Sequence, residues 1–192
     1  MEQTIKMIDI TFDKDTQKAY KNLVNTELCI TKDLNQYLEN ANQGDRLFSN
    51  IKEISYLAKP NHLLQKPFYA VWILLGKNLD GLFTHNKDYM SKTDLDAIWI
   101  KVRKWLKKKD MLEELKDIDI KKVTKDRVNL VKKIYSNDRY MTPGWISRES
   151  RAATCLFLWT KKVIECKNIY DQMYKIGIRI KEDQIEEYKK LS

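Results

Sequence analysis

The chain has 192 residues, enough for one domain with a sizeable core, and its 43% hydrophobic and 33% charged residues are typical of a globular protein. With only 5 glycines and 3 prolines it lacks the turn residues that an all-β protein needs, so long helices are expected. The formal net charge is +9, and residues 101–133 hold 13 Lys and Arg against 6 Asp and Glu, a local excess of +7. Such a cluster indicates an acidic partner, which can be nucleic acid, anionic lipid or an acidic protein surface.

The start of the chain predicts an extended arm and a long helix. Apolar residues alternate within residues 1–14, which favours a short extended segment. A helix is predicted from about residue 15 to residue 41, and residues 42–45, Asn-Gln-Gly-Asp, then break the pattern. Part of its apolar face has the 4-3-4 spacing of a coiled-coil seam, at Ile30, Leu34, Tyr37 and Ala41.

Two helices and a loop are predicted next. A helix from Ser49 to Lys59 would bury Ile51, Ile54 and Leu57. A strongly apolar helix follows from Leu63 to Leu75, and Gly76 ends it. Pro67 either starts this helix or kinks it. Residues 77–92 are predicted to form a polar loop, which is long for a passive connection.

A basic helix is predicted from Leu95 to about Lys109, with Thr93 or Asp94 as its cap. Lysines and Arg103 cover one side, and the other side carries a stripe expected to be buried: Ile98, Trp99, Val102, Trp105 and Leu106. A short helical piece over residues 111–118 and a helix over residues 124–135 complete this basic region.

The stretch Met141–Trp159 has a helix-start signature, with Thr142 as cap and Pro143 at the first helical position. It is predicted to continue without a break into a long C-terminal helix, where a 4-3-4 spacing recurs at Ile169, Met173, Ile176 and Ile180. Arg148 and Arg151, three residues apart, are then neighbours on its outer face. By itself this pattern favours a core helix with a solvated charged face over a binding surface.

The predicted fold is therefore all-α. Residues 50–160 would form a small helical bundle, and helices within residues 15–49 and 161–192 would flank it as a short antiparallel coiled coil. The three cysteines show no CxxC spacing, and Cys155 is expected in the core. Because neither a signal peptide nor a run of membrane-spanning length is present, an intracellular location is expected.

No enzyme, cofactor or metal site is predicted. His62 and His85 are the only histidines and belong to no ligand motif, and glycine-rich phosphate loops are missing. The segment Trp99–Lys109 has a pattern that suits calmodulin, an anionic membrane or a nucleic-acid backbone. The favoured interpretation is that both tryptophans lie in the core and the lysines keep the opposite face soluble.

In order along the chain, several short motifs resemble the stalkhead, the microtubule-binding domain of dynein heavy chains. The match covers about 110 residues and lies between two helices that can pair. The segments that carry it are Ile51–Ser55, Pro60, Ala70–Gly76, Trp99 with Val102 and Leu106, Met111–Asp119, Val128–Tyr135, and Met141–Pro143 with Ile146, Ser150–Ala153 and Leu156–Trp159.

The resemblance implies a helical bundle at the tip of an antiparallel coiled coil, which binds tubulin at the junction of its two subunits. By matching position it implies tubulin contacts at Arg148 and Arg151 of the last helix, at His62 and Lys66 of the first, and at Lys104 and Lys108 of a basic helix between them. Acidic tubulin suits the positive charge of the chain.

The chain departs from the family pattern, since Asn61 replaces the second proline of the motif and Pro67 interrupts the first helix. Because no motor ring accompanies the bundle and the chain starts at Met1 with an unfamiliar arm, we expect a stand-alone, static microtubule-associated protein. Its expected location is the cytoplasm and the cytoskeleton, with the ciliary axoneme as the favoured place. Alternatives are a stalkhead-like scaffold for another axonemal protein and an excised piece of a dynein heavy chain. Nucleic acid and membrane are not expected as partners.

Overall fold

The computed structural model of the chain describes residues 32–44, 46–77 and 92–191. Every regular element in these ranges is a helix, which confirms the all-α fold class. The predicted arm, most of the polar loop, His85, and the first half of the N-terminal helix lie outside the described residues. The helices are residues 32–44 (α1), Leu47–Ile54 (α2), His62–Leu74 (α3), Lys92–Leu106 (α4), Met111–Lys116 (α5), Lys125–Ser136 (α6), Pro143–Glu149 (α7) and Arg151–Leu191 (α8), with a 3₁₀ turn at Ile120–Lys122.

Helix α3 is the centre of the bundle, and it packs against α4, α6, α7 and α8. Almost all of its side chains are buried, because apolar residues surround it on every side. Phe68 meets the ring of Trp99 edge-on at 5.9 Å, and Trp72 meets Trp105 at 5.8 Å, so α3 and α4 run parallel. The interpretation of Trp99 and Trp105 as core residues is thereby confirmed.

Both ends of α3 are set by local chemistry. Asn61 caps its start, where the side-chain oxygen accepts a hydrogen bond from the Leu64 N–H at 3.1 Å. The helix therefore begins before Pro67, which lies in its second turn. At the other end Gly76 has φ 72°, and the N–H groups of Gly76 and Lys77 donate to carbonyls of the last turn, so the predicted glycine stop is confirmed.

Three of the predicted helices have wrong boundaries. Helix α1 continues through Gly44, past the predicted break at residues 42–45, and α4 starts at Lys92, so that Thr93 and Asp94 lie inside it instead of capping it. Helix α2 spans Leu47–Ile54 instead of Ser49–Lys59.

The early end of α2 has an identifiable cause in the loop that follows it. The Ser55 hydroxyl donates to the Lys52 carbonyl at 2.6 Å, which tightens the last turn. The Leu57 carbonyl then accepts a hydrogen bond from the Trp99 indole N–H at 2.9 Å. Leu57, predicted to be buried, is exposed because the chain has already left the helix.

The predicted unbroken helix from Met141 onward is also wrong. Ser150 is extended, with φ −163° and ψ 130°, and it separates α7 from α8. Its hydroxyl oxygen accepts a hydrogen bond from the Ala153 N–H at 3.2 Å and so caps α8. Thr142 occupies the cap position of α7 and Pro143 the first helical position, as predicted, although the Thr142 side chain makes no capping bond. Arg148 and Arg151 therefore lie on different helices.

Helix α1 lies beside the first half of α8 and runs in the opposite direction. The Tyr37 hydroxyl donates to the Cys155 carbonyl at 3.1 Å, and the Lys162 ammonium lies 5.6 Å from the centre of the Tyr37 ring. Leu34 and Ala41 of the predicted seam are buried, whereas Ile30 and the side chains at 173, 176 and 180 lie outside the described residues. Cys155 is in the core, as expected, and a coiled coil farther along α8 stays a prediction.

Candidate functional site: the tip of the bundle

The end of the bundle at which α3 begins, which we call the tip, is organised by the carboxylate of Asp138. Its Oδ2 lies 2.7 Å from Lys66 Nζ and 3.1 Å from His62 Nε2, and its Oδ1 accepts a hydrogen bond from the Tyr140 N–H at 3.0 Å. Burial by itself would raise the pKa of Asp138, but these hydrogen bonds and positive charges outweigh burial and hold the pKa below its usual value. The loop after α6 is thereby clamped to the start of α3.

A row of two aromatic rings with an arginine at each end lies on the same loop and on α7. Arg139 lies 4.7 Å from the Tyr140 ring, Tyr140 meets Trp145 edge-on at 5.2 Å, and Arg148 lies 4.4 Å from the Trp145 ring. We call these four residues the tip ladder. Trp145 is 43% exposed, so that the row faces solvent along part of its length.

Helix α7 is fixed to the tip on its inner side. Ile146 is fully buried, and the Asn61 side-chain amide donates to the Glu149 carboxylate at 2.6 Å. Because Trp145 and Arg148 flank Ile146 at positions that do not share its face, burying Ile146 turns both of them outward. The amino-acid pattern thus determines which side of this short helix faces solvent.

The structure brings together some of the predicted site residues and separates others. His62 and Lys66 share Asp138, and Arg148 joins the same group of contacts through Trp145 and Tyr140. Arg151 follows directly, as the exposed first residue of α8. Lys66 is only 15% exposed, so most of its charge is directed at Asp138.

The two remaining predicted residues, Lys104 and Lys108, are exposed but lie away from the tip. The neighbouring Trp105 packs against Trp72, ten residues after His62 along α3, which corresponds to about 15 Å of helix. These lysines therefore form a separate basic surface on and after α4.

Arg139, Tyr140 and Trp145 are tip residues that the sequence analysis did not single out. One signal was available, because Trp145 is adjacent to Ile146 and cannot share its buried face in a helix. The edge-to-face contact of Trp145 with Tyr140 joins α7 to the preceding loop. Because this loop is not helical, helical spacing does not predict that the two rings meet.

Other kinds of site find no support in the described ranges 32–44, 46–77 and 92–191. Within them no group of three or more His, Cys, Asp or Glu side chains could hold a metal ion. None of the helices in that part of the chain is long and apolar enough to cross a membrane. No protein-family model matches the chain, and no curated protein matches it either.

Proposed function

We propose that this chain is a non-enzymatic, structural protein that binds tubulin through the tip of its helical bundle. The observation that carries the proposal is the assembly of exposed arginines at one end of the bundle, beside the start of α3. Arg139 comes from the loop after α6, Arg148 from α7 and Arg151 from α8, and the half-exposed imidazole of His62 lies at the start of α3.

The charge balance of the tip favours an acidic partner. Two carboxylates of the tip, Asp138 and Glu149, are engaged with neighbouring side chains of α3 or its cap. The exposed arginines add positive charge to the local field. Charges at the rim of an interface chiefly speed association and make it depend on salt. Lys104 and Lys108 lie too far along the bundle for the same contact and would add to the attraction at longer range.

The resemblance to dynein stalkheads supports tubulin as the acidic partner. In that family the first and last helices of the bundle and a basic helix between them form the tubulin-binding surface. Here α3, α7 and the start of α8 meet at the tip, whereas the lysines of the basic helix α4 lie away from it. We propose a static role on microtubules of the cytoskeleton, with the ciliary axoneme as the favoured place.

The test is co-sedimentation of the full chain with taxol-stabilised microtubules. We expect pelleting that falls as ionic strength rises, and the double variant Arg148→Glu with Arg151→Glu should bind at least about tenfold more weakly. The matched control is Lys125→Glu with Lys132→Glu, which changes the net charge equally on exposed positions of α6. Pelleting that is absent, or that both double variants weaken equally, would contradict binding through the tip.

A second candidate function, a scaffold for another axonemal protein, is favoured by an apolar surface beside α4. Tyr56 is 63% exposed and Ile100 57% exposed, and the Lys107 ammonium lies 4.9 Å from the centre of the Tyr56 ring. Exposed apolar side chains that lie close together are typical of protein interfaces. Cross-linking in isolated axonemes distinguishes the two functions: the scaffold predicts cross-links to a protein other than tubulin, which Ile100→Asp removes.

A further inference from the structure

The tip ladder differs from the other aromatic contacts of the bundle in its exposure. All five tryptophans lie in the described part of the chain, and four of them, at positions 72, 99, 105 and 159, are buried. Trp145 is the exposed one, and it is also the one that carries a guanidinium on its ring. Exposed tryptophan, tyrosine and arginine are the residue types that most often dominate the free energy of protein binding.

The ladder is not needed to hold the tip together. The ion pairs of Asp138 fix the loop after α6, while buried Ile146 and the bond from Asn61 to Glu149 fix α7. An exposed cation on an aromatic ring contributes only about 0.5–1 kcal/mol to stability. A purely structural role therefore leaves the exposed aromatic surface without an explanation.

We propose that the tip ladder is a binding site for an extended, glutamate-rich peptide segment of the partner. A guanidinium beside a ring can still bind a carboxylate through two parallel hydrogen bonds from its N–H groups. At Arg139 one N–H of Nη2 donates to the Tyr140 hydroxyl at 2.5 Å, so a carboxylate would meet the other N–H groups of this guanidinium. The ladder offers one guanidinium at each end, Arg139 and Arg148, with two rings between them.

The spacing of the ladder is compatible with an extended peptide. The three successive contact distances set an upper limit of about 14 Å on the separation of the two guanidinium groups. In an extended chain, residues i and i+4 point to the same side and are separated by about 13 Å, which falls within this limit. Two glutamates up to four residues apart can therefore each meet one arginine, with the rings of Tyr140 and Trp145 between them.

We take the choice of an acidic partner from the proposed function, but peptide binding can be measured without microtubules. The full chain is titrated into fluorescently labelled decaglutamate, with decaglutamine as the uncharged control, and binding is followed by anisotropy. Because the other tryptophans are buried, acrylamide quenches the fluorescence of Trp145 most strongly, and bound decaglutamate should protect Trp145 from this quenching.

The decisive variants keep the charge and remove the planar group. Arg139→Lys with Arg148→Lys should weaken decaglutamate binding at least about tenfold, because an ammonium does not stack or bind carboxylates through a planar fork. Trp145→Ala should do the same, and Lys125→Glu with Lys132→Glu should change the affinity less than about twofold. Thermal unfolding of each variant serves to check that the bundle is intact.

Two outcomes overturn the inference: decaglutamate does not bind, or the lysine variant binds it as tightly as the natural chain, which would show that charge alone is recognised. These outcomes remain distinguishable from a failure of the proposed function. If microtubules pellet the chain but decaglutamate does not bind, the peptide site alone is wrong. If decaglutamate binds through the ladder and microtubules do not pellet the chain, the peptide site stands and tubulin is the wrong partner.

Discussion

Gly76 offers a strong test of the fold, because its surroundings predict the size of the effect of one methyl group. Its φ of 72° lies in the left-handed region, where a residue with a Cβ costs about 1–2 kcal/mol. A Cβ at this position would also lie 2.6 Å from Nη1 of Arg127. The guanidinium would have to move, and its hydrogen bond of 3.4 Å to the Lys122 carbonyl would be lost.

We expect Gly76→Ala to lower the free energy of unfolding by about 2–3 kcal/mol, the backbone strain plus roughly 0.5–1 kcal/mol for the displaced arginine. For a chain of this length the midpoint of thermal unfolding should fall by about 5–10 °C. The assay is thermal and urea unfolding followed by circular dichroism. In an Arg127→Ala background the same glycine substitution should cost about 0.5–1 kcal/mol less, because the clash is gone.

Gly144→Ala is the matched control. Gly144 lies in α7, and a Cβ there would meet nothing within 4 Å. Alanine should therefore stabilise the chain by about 0.5–1 kcal/mol, the opposite sign, since glycine is a poor helix former. If Gly76→Ala changes the unfolding free energy by less than about 0.5 kcal/mol, the left-handed helix end described above is wrong.

Three further predictions concern single side chains. Ser150→Ala removes the cap of α8 and should cost about 1 kcal/mol in urea unfolding, whereas Ser150→Asp should keep most of that stability; equal losses would argue against the cap. Asp138→Asn should cost about 1–2 kcal/mol at neutral pH. Because the pKa of Asp138 is lowered in the folded chain, its ionised form stabilises the fold above the unfolded-state pKa, and this stability is lost as pH falls through the folded-state pKa. The unfolding free energies of the natural chain and of Asp138→Asn should therefore converge in acid. A difference that stays constant with pH would contradict this role. Burial raises the pKa of the Cys166 thiol to about 11, so mass spectrometry after brief alkylation at mildly alkaline pH should find Cys166 unmodified in the native chain and modified in urea; rapid native labelling would refute its burial.

Helical periodicity was sufficient to predict the elements whose contacts repeat regularly. All five residues of the stripe in α4 are buried as predicted, because one face of a helix meets one neighbour. Periodicity failed at Ser150, because the apolar positions of α7 and α8 fit a single continuous helix. The break is instead set by a side-chain cap and by the contact of Glu149 with Asn61, 88 residues away.

The candidate site was predictable only in part, for the same reason. Arg148 and His62 followed from matching motifs, and the structure brings them to one end of the bundle. Lys66 and Asp138 are 72 residues apart, and their pairing could not be predicted from the sequence around either residue. The tip ladder depends on an irregular loop, in which spacing along the chain does not indicate which rings meet.

The break at Ser150 has a thermodynamic consequence for Arg151, which becomes the first residue of a 41-residue helix. A cation at a helix start opposes the helix dipole and costs roughly 0.3–1 kcal/mol of stability. Arg148 lies in the last turn of α7, where the dipole of α7 favours a positive charge. The proposed binding of tubulin and the folding of the chain therefore favour different residues at position 151. Replacing Arg151 by glutamate should give a chain that unfolds at a higher temperature and pellets less with microtubules, the trade-off expected where a residue serves a partner at the expense of its own fold.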